Sequence, residues 1–407
     1  MSTSSRLART LKSVQERKGS FSEAWTKLRK HALDQLIHHG LPSFRDEDYK
    51  YTPLHGRWEQ IDPSVKAVSS VDGSSSGSFS WAIPLGLRPQ EGISVDFWKG
   101  SPPQDPRWDI DFLAEYVSDP FACLNILLAE EGYFLDVEGG QRLGDPILLP
   151  SFRECGRSSI RVGAGAQVIL IQAEQGQAKG FQNDFQEIIC GKGSRVLYYQ
   201  VQEEGSERTR VNNVFVELAD RAYFQACTFS FSRGMTRNNL HVRLKNPGAE
   251  AHLHGLYLPV QKSLIDYHTH VHHLSGQTES HQLYKGILRD QAQGVFRGRI
   301  QILPHAQKTY AYQRNQTILC DPRAVMHAQP QLEIEADDVK CSHGCTTGYL
   351  DKAALFYLQA RGISLPVAQQ LIFSSFLREL LDIEDLRLKE YLEEKMLKTL
   401  LPSGYDS

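Results

Sequence analysis

The feature that most constrains the fold is a turn-plus-strand unit that recurs every 28 residues through the middle of the chain. In each unit a turn leads into a short strand-like run. The five units occupy residues 163–170, 191–198, 219–224, 247–252 and 275–280. A fixed period of this kind indicates a solenoid in which each coil stacks on the last. Strand content favours a β-helix over helical repeats, and on pattern alone a sandwich or jelly roll stays open.

Helical patterns flank this core on both sides. Apolar residues at helical spacing predict helices within residues 1–40 and near 110–130. Beyond residue 350, three apolar stripes at the same spacing predict three more helices. We therefore predict a mainly β chain with a mainly helical N-terminal region over 1–140, a β-helix core over 141–347 and a helical C-terminal domain over 348–407.

Charge and hydropathy argue against two classes of partner. The formal net charge is −3, the pI is near 6.6, and no cluster of Lys and Arg resembles a nucleic-acid-binding patch. No stretch approaches the ~18 consecutive apolar residues of a membrane span. Leu7, Leu11 and Val14 favour an ordinary amphipathic helix over a transit peptide. We expect a cytoplasmic protein with no nucleic-acid partner and no membrane span.

The common enzyme signatures are missing from the sequence. It contains no GxxxxGK[ST] nucleotide loop, no GxGxxG behind a strand, no GxSxG and no HExxH. We therefore expect that the chain is not an enzyme. If it takes part in nucleotide-driven work, a partner supplies the ATPase.

Histidines are concentrated within the predicted β-helix. Eight of the fifteen lie between residues 241 and 281, namely His241, His252, His254, His268, His270, His272, His273 and His281. Because alternate residues of a strand share a face, His252 with His254, or His268 with His270 and His272, could bind a metal together. A metal-dependent enzyme is thus one hypothesis. The other is a structural ladder of hydrogen-bonded imidazoles, and it is favoured because no carboxylate is spaced to complete a catalytic site.

A second group of metal-ligating residues lies where the strands give way to helices. Cys341 and His343 stand two residues apart after an alternating run, so an extended chain places them on one face. They could share a metal or face a partner that holds one. His343 is the stronger candidate, since Ser342 and Gly344 flank it, and Cys345 is weaker. The seven cysteines are odd in number and scattered, which argues against a disulfide framework.

Several segments together resemble the SufB/SufD family of the SUF iron–sulfur cluster assembly system. The most specific is 330–344, which includes Lys340-Cys341-Ser342-His343-Gly344. The others are 49–54, 284–288, 294–298, 306–309 and 355–363. The resemblance implies a right-handed parallel β-helix between an N-terminal helical region and a C-terminal helical domain. The Lys-Cys-Ser-His-Gly stretch points to the SufD branch, with a SufB-like paralogue as the alternative.

The resemblance also implies partners and a role. Members of the SufD branch pair with a SufB-like paralogue through their β-helices and bind a SufC-like ABC ATPase through the C-terminal helices. We expect a non-catalytic scaffold in which His343, with Cys341 second, contacts a nascent iron–sulfur cluster or iron shared with the partner. Without that partner, exposed β-helix edges favour a homodimer. Cys345 and Tyr310 depart from the family pattern, and we expect Cys345 to be neutral.

Overall fold

The computed structural model describes residues 23–43, 45–54, 91–99, 119–152, 154–176, 179–205 and 207–400. The predicted helix around Leu7 and Val14 lies outside these residues. Within them, no helix has the length and apolar content that crossing a membrane would need.

Seventeen strands dominate the described part of the chain. In chain order they are β1 (Ile93–Lys99), β2 (Glu131–Val137), β3 (Ile147–Leu149), β4 (Gly156–Val162), β5 (Gln167–Gly176), β6 (Gly180–Cys190), β7 (Arg195–Glu204), β8 (Arg208–Leu218), β9 (Tyr223–Ser230), β10 (Met235–Leu244), β11 (Glu250–Tyr257), β12 (Leu264–His273), β13 (Glu279–Leu288), β14 (Gln293–Ile302), β15 (Thr309–Leu319), β16 (Val325–Ile334) and β17 (Val339–Tyr349).

Within the described residues, two helices precede β2 and three follow β17. They are α1 (Glu23–His39), α2 (Pro120–Leu128), α3 (Lys352–Gln359), α4 (Leu365–Leu377) and α5 (Leu386–Leu400), with short 3₁₀ turns at Glu47–Tyr49 and Arg378–Leu381. Local signals explain their starts. The Asp119 carboxylate accepts hydrogen bonds from the first free amides of α2, and Asp351 does the same for α3.

The strands form a two-sheet parallel solenoid, which confirms the predicted β-helix. Even-numbered strands from β2 to β16 make one parallel ladder, which β1 extends in the antiparallel direction. Odd-numbered strands from β3 to β17 make the other. Each coil therefore gives one strand to each sheet, for about eight turns. Parallel pairing between successive coils excludes the sandwich with hairpins, whose neighbouring strands would run antiparallel.

The 28-residue period corresponds to the first coils of the odd-numbered sheet. Gln167, Arg195 and Tyr223 pair in register at that spacing. The sequence analysis did not predict β1 and β2, which lie within residues 1–140. The limits of the three predicted regions stay predictions. For comparison with the predicted core of 141–347, the parallel ladder begins with β2, before residue 141, and its last strand β17 ends at Tyr349.

The terminal segments pack on the outer faces of the two sheets. Residues of α1, α2 and the 45–54 segment form an apolar cluster with outward side chains of the even-numbered sheet, such as Phe185 and Phe215. Residues of α4, the following 3₁₀ turn and α5 form another with the odd-numbered sheet. These layers leave the last coil, β16 and β17, at an open end.

The Tyr49–Leu54 run, one of the family-like segments, anchors the N-terminal layer. Thr52 donates a hydrogen bond to the buried Asp266 carboxylate, which also pairs with Arg237 at 3.0 Å. The Arg237 guanidinium stacks 3.9 Å from the centre of the Tyr49 ring and donates to the Asp48 carbonyl. Because an unpaired buried charge is costly, these contacts fix the segment on the sheet.

The interior of the solenoid contains reciprocal Gly–Tyr pairs. Gly286 lies in register with Tyr257, and Gly255 lies in register with Tyr284. A Cβ at Gly286 would lie 2.0 Å from Cε2 of Tyr257, whose hydroxyl is held by Thr317 at 2.7 Å. Each tyrosine ring therefore occupies the space that a side chain at the paired glycine of the neighbouring coil would need.

We predict that Gly286→Ala lowers the free energy of unfolding by about 1–3 kcal/mol, because the tyrosine ring cannot move away without losing its hydrogen bond. The measurement is the midpoint of urea unfolding. Gly348→Ala is the matched control, since its Cβ meets no atom within 4 Å, and we expect it to change stability by under about 0.5 kcal/mol. Equal effects of the two substitutions would contradict the packing argument.

Candidate functional site

Strand β17 presents Cys341, His343 and Cys345 on one face at the open end of the solenoid. Each pairs in register with a residue of β15 whose side chain is buried in the interior, in turn Ala311, Gln313 and Asn315. Because residues in register share a face, the three side chains belong to the inward-facing rows. Cys341 is half-buried against the core, whereas His343 and Cys345 are exposed.

Partial burial shapes the chemistry of the two thiols. It raises the pKa of Cys341 and of Cys345, and hydrogen bonds with the backbones of Ala311 and Asn315 oppose this only in part. Both thiols are therefore mainly protonated at neutral pH. Binding of a soft metal would require each to lose its proton, so metal uptake at this face is coupled to proton release.

A polar cavity of about 510 Å³ adjoins the same strand. Its walls combine the outer face of the odd-numbered sheet, the middle of β17 and the turn after α4. The residues that line it include His252, His254, His281, Tyr312, Arg314, His343 and Glu379. The structure thus brings three of the eight clustered histidines, His252, His254 and His281, to the same cavity as His343.

Polar and charged groups around this cavity have partners within hydrogen-bond distance. His252 Nε2 lies 2.6 Å from Glu250, and His281 Nε2 lies 2.5 Å from Glu279. Glu379 accepts hydrogen bonds from Lys285 and Arg314. Burial, together with the nearby His252, lowers the pKa of His254 to about 4, so this ring is neutral. The cavity wall is therefore polar, and these side chains already have partners within the chain.

The predicted His268–His270–His272 array is divided by the structure. His268 lies 3.1 Å from Asp266 and 3.2 Å from Arg237, so it belongs to the N-terminal anchor. His270 and His272 instead meet His241 of the neighbouring strand. His273 points inward and contacts the hydroxyls of Thr278 and Ser280.

Sequence reasoning missed that histidines one coil apart meet. His241 pairs in register with His270, and His252 pairs in register with His281, in both cases 29 residues away. Their rings lie 4.7 Å and 4.9 Å apart between centres. The repeat distance was the available signal, because residues one period apart stack in a solenoid.

The last strand and the first C-terminal helices carry a second exposed surface. Its side chains are large, apolar and between 43% and 73% exposed: Tyr349, Phe356, Tyr357, Leu365, Val367 and Leu371. Large exposed apolar side chains on consecutive elements are candidates for a protein–protein interface.

Comparison with known proteins identifies the family of this architecture. The model of the SufBD core domain of SUF-system iron–sulfur cluster assembly matches residues 152–376, more than half of the chain. Escherichia coli iron–sulfur cluster assembly protein SufD is 29% identical over 91% of this chain and 92% of its own length. Arabidopsis thaliana protein ABCI7, chloroplastic, is 26% identical over 92% of this chain and 86% of its own length.

The raised pKa values make a prediction about thiol reactivity. We expect the rates at which iodoacetamide alkylates Cys341 and Cys345 to rise with pH around a midpoint above that of a free thiol, about 8.5. A raised pKa means less thiolate at a given pH, and hence slower alkylation. Peptide mass spectrometry after timed alkylation at several pH values gives both midpoints. The chain unfolded in urea is the control, and identical profiles for folded and unfolded chains would contradict the burial argument.

Proposed function

This chain belongs to the SufBD family of SUF-system iron–sulfur cluster assembly proteins, and we propose that it acts there as a non-catalytic scaffold of the SufD type. In this proposal His343 contacts a nascent iron–sulfur cluster, or iron, at an interface with a SufB-like paralogue. Cys341 is the second ligand candidate. The cluster is cargo that the complex builds and passes on.

The observation that carries the proposal is the open end of the solenoid. Every residue of β17 from Ser342 to Tyr349 is exposed, and in the described part of the chain no strand pairs with its free edge. The free backbone N–H and C=O groups of an unprotected edge strand can pair with a strand of another chain. A SufB-like β-helix has the architecture that would continue this sheet, and a second copy of this chain would do so when no paralogue is present.

The side chains at this edge suit half of a cluster site. An imidazole is a good ligand for ferrous iron, and thiolates are the usual ligands of iron–sulfur clusters. One strand offers these groups in a single row, so ligands on other sides of a cluster have to come from another chain. A partner that supplies cysteine and acidic side chains would complete the site.

The exposed apolar surface of β17, α3 and α4 is the proposed binding site for a SufC-like ABC ATPase. It lies next to the strand that carries His343, because β17 leads through Leu350 and Asp351 into α3. A movement of these helices driven by ATP binding would therefore reach the cluster site directly. The sequence contains no nucleotide-binding loop of its own, which fits an ATPase supplied in trans.

The SufD assignment rests on the Lys340–Gly344 stretch and on similarity to SufD of Escherichia coli. A cytoplasmic location stays a prediction, since a relative of similar coverage is named chloroplastic.

We predict that His343→Ala leaves assembly with SufB-like and SufC-like partners intact but abolishes cluster formation in cells, because the edge backbone is unchanged while an iron ligand is lost. The measurement is the iron and sulfide content of the anaerobically purified complex. His305→Ala, at an exposed turn position, is the matched control and should retain clusters. Normal cluster content in the His343 variant would contradict the assignment of His343 as a cluster ligand.

The docking proposal makes a separate prediction. Phe356→Asp and Leu371→Asp should each weaken binding of the SufC-like ATPase by at least about 2 kcal/mol, the cost of losing a central interface residue. Co-purification and isothermal titration measure the loss, while pairing with the SufB-like chain should persist. Ile37→Asp introduces the same charge at an exposed apolar position on α1 and should have no effect. Unchanged ATPase binding by both α3 and α4 variants would exclude this surface.

A further inference from the structure

Three imidazoles converge on the outer face of the even-numbered sheet, far along the chain from β17. One ring nitrogen from each of His241, His270 and His272 lies within 4.8 Å of the corresponding nitrogens of the other two. His241 and His270 pair in register across β10 and β12, and His272 follows two residues later on the same face of β12. The backbone register itself therefore assembles the group.

We propose that His241, His270 and His272 form a binding site for one divalent transition-metal ion of the Zn²⁺, Co²⁺ or Fe²⁺ class. The site is distinct from the edge that carries His343, and it needs no partner chain. Three imidazoles leave a fourth position for water, since His270 and His272 are only partly buried.

The spacing is close to that of a bound site. A metal–nitrogen distance of about 2.0–2.1 Å in a tetrahedral site separates ligand nitrogens by about 3.4 Å. The observed upper limit of 4.8 Å therefore has to shrink by about 1.4 Å, which small side-chain rotations can supply. The ring centres of His270 and His272 lie 6.2 Å apart and those of His241 and His270 lie 4.7 Å apart, so rotation of more than one ring closes the site.

The surroundings favour neutral rings of fixed orientation. Burial and the neighbouring histidines lower the pKa of His270 to about 3 and hold the pKa of His241 well below its usual value. Burial also lowers the pKa of His272, whose ring hydrogen-bonds the Gln301 side chain. A neutral imidazole with one nitrogen held by an outer partner is the form in which histidine binds metals.

Nearby cations are already balanced by carboxylates. Arg299, in register with His270, pairs with Glu333 at 2.6 Å. Arg243, in register with His272, pairs with Glu217 at 3.4 Å. A divalent ion at the histidines would therefore meet paired rather than free guanidinium groups, with Glu217 shared between Arg243 and Lys245.

A purely structural ladder is the competing explanation. The His241 ring stacks on Phe215 with 4.6 Å between ring centres and 15° between ring planes, and His270 follows at 4.7 Å. Stacked aromatic rings alone would account for this contact. The His241→Phe substitution distinguishes the two explanations, because phenylalanine preserves the stack on Phe215 and removes a metal ligand.

The test is an anaerobic titration of the purified full chain, without partners, with Co²⁺, followed by its visible ligand-field absorption and by displacement with Zn²⁺. We expect one Co²⁺ per chain. His241→Phe, His270→Gln and His272→Gln should each weaken Co²⁺ binding more than about tenfold, and His241→Phe should keep the melting temperature of the parent chain. His305→Gln is the matched control and should bind Co²⁺ as the parent does.

Two further outcomes keep this site separate from the proposed cluster site. His343→Ala should leave Co²⁺ binding unchanged, so failure of the scaffold proposal does not affect this one. The inference would be overturned by a parent chain that takes up no Co²⁺, by a His241→Phe variant that binds as tightly as the parent, or by loss of the signal in His343→Ala alone.

Discussion

Backbone hydrogen bonds between successive coils hold the strands in parallel register, and that register decides which side chains meet. Once Gln167, Arg195 and Tyr223 are aligned, every later residue of those strands falls into a fixed row, inward or outward. The Gly–Tyr pairs, the histidine pairs and the row containing His343 all follow from this alignment. A slip of one residue would move each row to the opposite face, so the chemistry of the site depends on the same bonds as the fold.

Stacking has a second consequence, which is that a solenoid of finite length must end. The N-terminal end is extended by β1, which pairs antiparallel with β2, and the even-numbered sheet is covered by α1, α2 and the 45–54 segment. At the other end, β16 and β17 have free edges in the part of the chain that the structure describes. Soluble proteins usually protect such edges. An edge that is exposed and also carries metal-ligating side chains is the basis of our proposal that a partner covers it.

From the sequence, the architecture could be predicted more completely than the contacts between side chains. Five units in one phase were enough to identify a β-helix, and apolar stripes located the three C-terminal helices. The even-numbered strands were harder to recognise in the sequence, since their outward-facing positions carry runs of polar residues. One such run is Asp266, His268, His270 and His272. The meeting of His241 with His270 also escaped prediction, because later coils depart from 28 residues. In-register partners lie 29 residues apart there and 31 apart between Glu279 and Tyr310.

For the motif at 340–344, the local sequence pattern was not enough to predict the direction in which the side chains point. Alternation alone placed Cys341 and His343 on one face, but it could not say whether that face looks inward or outward. The answer comes from β15, where Gln313 is buried and Tyr312 is exposed. His343 therefore continues an interior row into solvent, at a position that an added coil would enclose. In the pairing proposed above, a ligand held there would begin at the surface of one chain and become interior once a second solenoid stacked on it, which is the physical argument for proposing a cluster site shared between chains.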